Sequence, residues 1–381
     1  MKVVLNKRPG KRTALGGDDV QIEQTATHLE ALGLVCQILD GDIPDLSEVD
    51  YDILHVFNLT RPSEALRFAM HAAGKKRPVV LTPILIEHQS SDRHSGSLPR
   101  RVGAVLLREE GLERAKAALR GIRGDRSQWQ TAVRGYRNLQ RQVVSLADAV
   151  VANSHAELRQ VASLFDIRGK SNYVVYNGVE SDFGERPSKE SRWAWLSGAV
   201  VVVARIEERK NQLRVIEAMS TLPYRLVLVG PASTHDHGYT RRVLHRLKEI
   251  GGTYVGQVGR EDIANIFSFA RVSVLASWSE TTGLVNLEAL KCGCSVVVAE
   301  SDAVREYLAD GATYCNPGDV QSIRHAIVQA YGLPSERGKR VLAHTFTWDV
   351  AAKELATIYK QVLSAKVDDG NVPTVLDLGE W

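Results

Sequence analysis

Glu280 and Glu288 stand eight residues apart in the run Ser279-Glu280-Thr281-Thr282-Gly283-Leu284-Val285-Asn286-Leu287-Glu288-Ala289-Leu290. Gly283 lies between them and an apolar-periodic stretch follows, so the run reads as a turn entering a helix near Gly283. Glu280 is then in the loop above a helix N-terminus, with Glu288 about one turn inside. At 1.5 Å of rise per residue the two carboxylates span on the order of 10 Å. Free N–H groups at a helix start attract anions. The pair therefore suits a ligand with two hydroxyl-rich ends and an anionic middle, such as a sugar joined through a diphosphate to a ribose. Two isolated glutamates of this kind more often belong to a capped surface helix, so the rest of the chain has to decide.

The elements that must position this run are those of an α/β chain. Short apolar segments alternate with helical patterns, which predicts parallel sheets. Candidate strands in the first half are Lys2–Leu5, Leu34–Leu39, Ile53–Val56, Val79–Thr82, Ala149–Ala152 and Tyr173–Tyr176, with helices such as Val20–Leu32 and Ser63–Ala73 between them. A second series runs through Ala199–Ala204, Arg225–Val229, Thr253–Tyr254, Val272–Leu275 and Ser295–Val298. The irregular polar stretch between Gly178 and Leu196 separates the two series, and a last helix is expected from Trp348 to about Ser364. A chain of 381 residues, 44% apolar and 24% charged, is long enough for two full cores.

In the second half, Val201-Val202-Val203-Ala204-Arg205 reads as a buried strand ending in a cation, and Lys210 follows the turn Glu207-Glu208-Arg209. Ligands of open α/β sheets sit beyond the carboxyl ends of strands, so Arg205 stands where a diphosphate would need charge. Gly230 ends the strand Leu226–Val229, and Gln257 and Val258 follow the strand at Tyr254. In the first half, Leu15-Gly16-Gly17-Asp18-Asp19 lies between a predicted strand and a predicted helix. Its glycines permit close backbone approach, and Asp18 or Asp19 could cap the helix.

These segments together resemble the retaining GT-B glycosyltransferases of family 4. The E-x7-E motif matches Glu280 to Glu288, the Arg and Lys match Arg205 and Lys210, and the glycine-rich loop matches Gly16-Gly17. The resemblance implies two Rossmann-like domains facing across a cleft, with a C-terminal helix crossing back to the first. The expected limits are 1–185 for an acceptor domain, 186–347 for a nucleotide-sugar donor domain and 348–381 for the crossover helix and tail. It implies a retaining, metal-independent transfer of a hexose-type sugar from a nucleotide-diphosphate donor to an acceptor hydroxyl. Arg205 and Lys210 would neutralise the departing diphosphate, Glu280 would hold the hexose and Glu288 the ribose. Gly16, Gly17, Gly230, Gln257, Val258, Thr282, Gly283 and Leu284 would approach the donor. Asp18, Asp19, Asn58, His88 and Ser154 are acceptor-side candidates. A phosphorylase or epimerase of the same fold, or a nucleotide-sugar-binding scaffold without turnover, are the rival readings.

Three departures from the family pattern stand out. Thr281-Thr282 replaces a common Gly-Phe, and Lys210-Asn211 stands where Lys-Gly is common. Ile84 occupies the place where a histidine is expected, which leaves the catalytic base unassigned. Neither His55 nor His88 can be moved into that role from sequence.

Several features exclude other classes. Cys36, Cys292, Cys294 and Cys315 fit neither a redox pair nor a zinc knuckle and read as reduced thiols. Asp40-Gly41-Asp42 and His235-Asp236-His237 resemble metal motifs without enough ligands, so no metal and no cofactor are expected. No apolar run approaches 18 residues and no leader is apparent, which predicts a cytoplasmic protein. Between Arg93 and Arg141, Arg100, Arg101, Arg108, Arg114, Arg120, Arg123, Arg126, Arg134 and Arg137 outnumber Glu109, Glu110, Glu113 and Asp125. A solvated helical face is the usual meaning. Peripheral docking to an anionic membrane is the minority reading, and nucleic acid is disfavoured because no aromatic residues interleave with the charge. The acceptor is left open among a saccharide, a lipid-linked sugar and a small molecule, and so is the oligomeric state.

Overall fold

A computed structural model of the chain describes residues 1–7, 16–40, 46, 48–85, 109–122, 128–184, 191–233, 236–333 and 346–368. Runs of β-branched and aliphatic residues bounded by turns form the strands, and each sheet is wholly parallel. The elements are β1 (Lys2–Lys7), α1 (Gly17–Ala31), β2 (Val35–Asp40), β3 (Ile53–Phe57), α2 (Pro62–Gly74), β4 (Val79–Thr82), α3 (Glu109–Ile122), α4 (Gln128–Arg134), α5 (Tyr136–Leu146), β5 (Ala149–Ala152), α6 (His155–Leu164) and β6 (Ser171–Val174). They continue as β7 (Val200–Val203), α7 (Gln212–Met219), β8 (Leu226–Val229), α8 (His237–Glu249), β9 (Thr253–Gly256), α9 (Arg260–Phe269), β10 (Val272–Leu275), α10 (Leu284–Lys291), β11 (Ser295–Ala299), α11 (Asp302–Leu308), β12 (Ala312–Cys315), α12 (Val320–Gly332) and α13 (Trp348–Asp368).

The chain divides into two compact units. One unit takes residues from 1–85, 110–176 and α13 from Asp349 onward, and the other includes Asn177–Trp348. The first sheet has the order β2-β1-β3-β4-β5-β6 and the second β12-β11-β10-β7-β8-β9. Counted from β7, the second order is the 3-2-1-4-5-6 of a doubly wound dinucleotide-binding sheet. The first sheet changes direction between β1 and β3, the second between β7 and β10. Ligand crevices of such sheets lie beyond the carboxyl ends of the strands at those two places. Central strands such as Val79–Leu81 and Val200–Val202 are fully buried, and each large apolar side chain removed from water contributes about 1.5–3 kcal/mol.

Two strand expectations needed adjustment. β6 lies two residues earlier than Tyr173–Tyr176, because Ser171 and Asn172 pair with Ala149 and Val150 despite their polarity. β12 is a mixed Ala-Thr-Tyr-Cys strand that carries no alternation, and it pairs with β11 from Val296 to Ala299.

The C-terminal helix packs on the first unit, as the sequence predicts. Its Tyr359 is fully buried, with the hydroxyl 2.6 Å from His55 Nδ1, and His55 Nε2 lies 2.8 Å from Thr82 Oγ1. Burial lowers the His55 pKa to about 3, so the ring is neutral and uses one nitrogen as donor and the other as acceptor. His55 is therefore a structural residue. Lys366 Nζ donates to Asp148 Oδ1 at 2.6 Å, and Asp148 Oδ2 accepts from the Val79 N–H at 2.8 Å, which ties the far end of α13 to β4. Replacing Tyr359 by Phe strands a buried imidazole nitrogen. Urea unfolding is expected to show a loss of about 1–3 kcal/mol; an unchanged midpoint would contradict this tie.

Candidate active site

Four valines make β7 a strand buried on both faces, and the chain leaves it through Ala204 and Arg205 into a short turn of 3-10 helix at Glu208–Lys210. β10 pairs directly with β7, so the segment Ala276–Gly283 emerges alongside. The two segments are laced together at the point where the strand order reverses. The Trp278 N–H donates to Arg209 O at 2.9 Å, Arg209 Nη1 donates to Ser279 O at 2.9 Å, and Asn211 Nδ2 donates to Ala276 O at 3.0 Å and Pro317 O at 2.9 Å. Asn211 has φ 60°, the left-handed region that glycine and asparagine tolerate best. Asparagine therefore tolerates here a conformation that glycine adopts most easily.

This lacing brings Lys210, together with Arg209, to the first glutamate, whereas Arg205 pairs with Glu207. Lys210 Nζ is 2.6 Å from Glu280 Oε1, Arg209 Nη1 is 3.5 Å from the same oxygen, and Arg205 Nη1 is 2.9 Å from Glu207 Oε1. Lys210 and Glu280 are both largely buried. Burial pushes the Glu280 carboxyl up, but the charges of Lys210 and Arg209 and hydrogen bonds from Lys210 and Ser277 outweigh it, leaving the group below its ordinary value. Burial draws the Lys210 ammonium down, against the pull of Glu280.

Gly283 is the N-cap of α10 at φ 65°, where a Cβ would lie 2.5 Å from Asn286 Nδ2. The helix starts here, one residue after Thr282, and its first N–H groups have no intrahelical carbonyl to bind. Glu288 is buried one turn inside. Arg260, the first residue of α9, donates from Nη1 to Glu288 Oε1 at 2.8 Å and from Nε to Glu180 Oε1 at 2.6 Å. Its guanidinium lies 4.8 Å above the Phe183 ring. Burial raises the Glu288 pKa, and the Arg260 charge opposes that rise.

Sequence reasoning missed Arg260 and Glu180 altogether, and their only signal is proximity in space. Thr282 faces the interior: its hydroxyl accepts from Asn177 Nδ2 at 3.1 Å and approaches the Tyr307 hydroxyl at 3.5 Å. Only its backbone can serve a ligand at the helix start. Gly230 allows Ala204 to pass closely, since a Cβ there would lie 2.3 Å from Ala204 O. Gln257, exposed, and Val258, half-buried, form the turn that delivers Arg260.

The first unit places its predicted residues at the β1/β3 reversal. Gly16 caps α1, and its N–H donates to the Asp19 carboxylate at 2.8 Å, which commits Asp19 to the cap. Gly17 begins the helix. Asn58, at φ 77° beyond β3, donates to Asp18 Oδ2 at 3.3 Å and accepts from the Thr60 N–H at 2.7 Å. Ser154 caps α6, its hydroxyl accepting the Glu157 N–H at 3.0 Å, and the adjacent Asn153 accepts from Gln21 of α1 at 2.8 Å. Ile84 is buried at φ 44°, and His88 lies outside the described residues. Asp236 is the N-cap of α8, accepting from the Tyr239 N–H at 2.9 Å, and His235, Gly41 and Asp42 are also outside the described residues. Among the described residues no three His, Cys, Asp or Glu side chains cluster as metal ligands.

Residues 195–340 match the glycosyl transferases group 1 family. Over 178 residues the chain is 30% identical to O-antigen chain mannosyltransferase B of Escherichia coli, covering 44% of this chain and 46% of that protein. It is 27% identical over 242 residues to D-inositol 3-phosphate glycosyltransferase of Mycolicibacterium paratuberculosis, covering 59% and 55%. The chain thus spans about half the length of the curated relatives it matches. Sucrose-phosphate synthase from Thermosynechococcus elongatus has a similar structure, with a TM-score of 0.72 over 96% of this chain and 99% of that one at 16% identity. Anabaena HepE in complex with UDP-glucose gives 0.66 over 95% and 100% at 17% identity. At these identities the likeness establishes the fold, GT-B with two Rossmann-like units.

Because the folded Glu280 carboxyl titrates below its unfolded value, its contribution to stability is complete above about pH 4.5 and is lost as pH falls through the lowered value. Glu280→Gln leaves Lys210 without its charged partner. At pH 7 urea unfolding is expected to lose about 3 kcal/mol, with the gap closing under more acid conditions; a variant as stable as the wild type at pH 7 would overturn the pairing.

Proposed function

We infer that the protein is a retaining glycosyltransferase of family 4, moving a hexose-type sugar from a nucleotide-diphosphate donor to an acceptor hydroxyl without a metal. One observation carries this reading. At the strand reversal of the second sheet, a helix start is flanked by two buried carboxylates, each paired with a cation. The group 1 match over residues 195–340 supports the activity class.

In this reading the diphosphate lies against the start of α10, where Arg205 and Lys210 stabilise the charge that develops as the bond to the sugar breaks. Glu280 accepts hydrogen bonds from the hexose, and Glu288 accepts from the ribose hydroxyls. The backbone of Gly283 and Leu284 approaches the phosphates, while Gln257 and Val258 border the base. Gly230 lets the turn after β8 lie close to β7. Asp18 and Asn58 are the first-unit groups best placed beside the helix cap for an acceptor. Ile84 has no proton-accepting group, and in this reading the donor phosphate takes the hydroxyl proton.

Arg260 matters here because Glu288 must be an anion to accept two hydroxyls. Burial favours its protonated form, and Arg260 works against that. Arg260→Ala is therefore expected to weaken donor binding more at pH 6 than at pH 8.5, with the loss shrinking as pH rises. Calorimetric titration of UDP-glucose, and of GDP- and ADP-sugars if UDP-glucose fails, measures this; an equal loss at both values would show that Arg260 acts otherwise.

Release of nucleoside diphosphate that depends on an added acceptor tests the activity itself. Arg205→Ala and Lys210→Ala are each expected to lower kcat by about 100- to 1000-fold. Donor hydrolysis unaffected by both substitutions would defeat the assignment, and binding without turnover would favour a scaffold.

A further inference from the structure

Helices α3 and α4 expose apolar side chains of the kind that ordinary surface helices hide. On α3 the exposed positions include Ala115, Leu119 and Ile122, while Glu113, Ala117 and Gly121 are buried. On α4, Trp129 and Val133 are exposed one turn apart. Leu119 is 57% exposed, Ile122 71%, Trp129 44% and Val133 70%, so four of the ten large apolar residues exposed among the described residues lie on two short helices. Scattered exposed apolar residues need no explanation, but a concentration of this kind does.

The two helices form one rigid face. Arg114 donates from Nε to Ala132 O and from Nη2 to Val133 O, both at 3.0 Å. The Trp129 indole lies against Gly121, so closely that a Cβ there would be 2.9 Å from it. The Glu110 carboxylate accepts the Arg137 N–H at 2.7 Å and reaches under Gly135, which fixes the pair to the start of α5.

We propose that this face docks on an anionic lipid surface. Charge selects that occupant. From Arg93 to Arg141 the sequence carries twelve Lys and Arg against four Asp and Glu, although the whole chain has a net charge of only +3. Glu110 is bonded and Glu113 buried, so these two acids are drawn inward, whereas Arg134 and Arg141 are exposed. Exposed Arg114 and Arg134 on the same two helices disfavour a second copy of this face. An apolar stripe with a tryptophan, on helices that also carry exposed arginines, has the chemistry of a helix lying in the headgroup boundary. Each base near such a surface contributes about 1 kcal/mol, and its effect falls with salt. Among the described residues no helix is long and apolar enough to cross a membrane, so the contact is peripheral.

Sedimentation of the full chain with vesicles tests this. The protein is expected to pellet with phosphatidylcholine vesicles containing about one third phosphatidylglycerol, and to bind at least about ten-fold more weakly to phosphatidylcholine alone. Ile122→Glu with Val133→Glu is expected to lose about ten-fold in binding with an unchanged melting temperature. Arg134→Glu with Arg141→Glu, a surface pair whose folding is checked in the same way, is expected to abolish the preference for anionic lipid. Absence of vesicle binding, equal binding to both compositions, or a wild-type response from both variants overturns the proposal. A concentration-dependent dimer that Ile122→Glu with Val133→Glu disrupts would give the face to a second copy instead.

Discussion

A buried carboxylate beside a helix N-terminus has two influences to reconcile. The helix end favours the anion, and the loss of water penalises it. The second unit holds two such carboxylates around one helix start, and each has its own cation. Lys210 and Arg209 serve Glu280, and Arg260 serves Glu288. Without them both groups would drift toward the protonated form, and the helix start would lose the two hydrogen-bond acceptors that flank it. The balance differs between the two. Glu280, with two cations, sits below its ordinary pKa, whereas Glu288 shares Arg260 with Glu180 and stays above. The strand order makes this possible, because β7 and β10 are neighbours only where the winding reverses, and that brings Lys210 to a residue seventy positions later.

At the reversal of the first unit, between β1 and β3, neutral donors meet carboxylates: the Gly16 N–H donates to Asp19 and the Asn58 amide to Asp18. Farther along the sheet, His55 spans Thr82 and Tyr359 and fixes α13 against β3 and β4. Glu157 plays a similar part near β5, where it accepts the N–H groups of Asn153 and Leu85 at 2.6 and 2.7 Å while burial raises its pKa. Buried polar groups in this unit hold elements together, whereas those at the β7/β10 reversal hold a charge pattern.

Much of this was legible in the sequence wherever the signal is local. Val79–Thr82, Ala149–Ala152 and Val272–Leu275 announce themselves as strands, and Gly283 announces the helix that separates Glu280 from Glu288. Arg205 and Lys210 are visible because they follow a strand of valines. Arg260 has no such marker. It is one arginine among many, and its importance comes from a contact with Glu288, twenty-eight residues away, and with Glu180, eighty away. Ser154 is ambiguous for the opposite reason: a strand end followed by a helix reads equally as a ligand site and as a cap, and its hydroxyl accepts the Glu157 N–H. The exposure of Leu119 and Ile122 on α3 is also hidden, since periodicity locates an apolar stripe without saying which way it points.

Backbone strain marks the same strand ends from a separate direction. Five described non-glycine residues have positive φ, and three of them follow strand ends: Asn58 after β3, Ile84 after β4 and Asn211 in the turn after β7. The asparagines relieve the conformation locally, since Asn58 accepts the Thr60 N–H and Asn211 donates to two carbonyls. Ile84 has no polar group to do this and is β-branched, the type for which φ 44° is most costly. Burial of its side chain and the Leu59 N–H bond to the preceding Pro83 O hold it in place. Such strain persists where the surrounding structure over-determines it, and it concentrates where a chain has to present groups at a fixed position. At Ile84 the backbone keeps a demanding shape although the side chain has no acid–base chemistry, so the constraint on this strand end belongs to its geometry and is separable from the identity of a catalytic base.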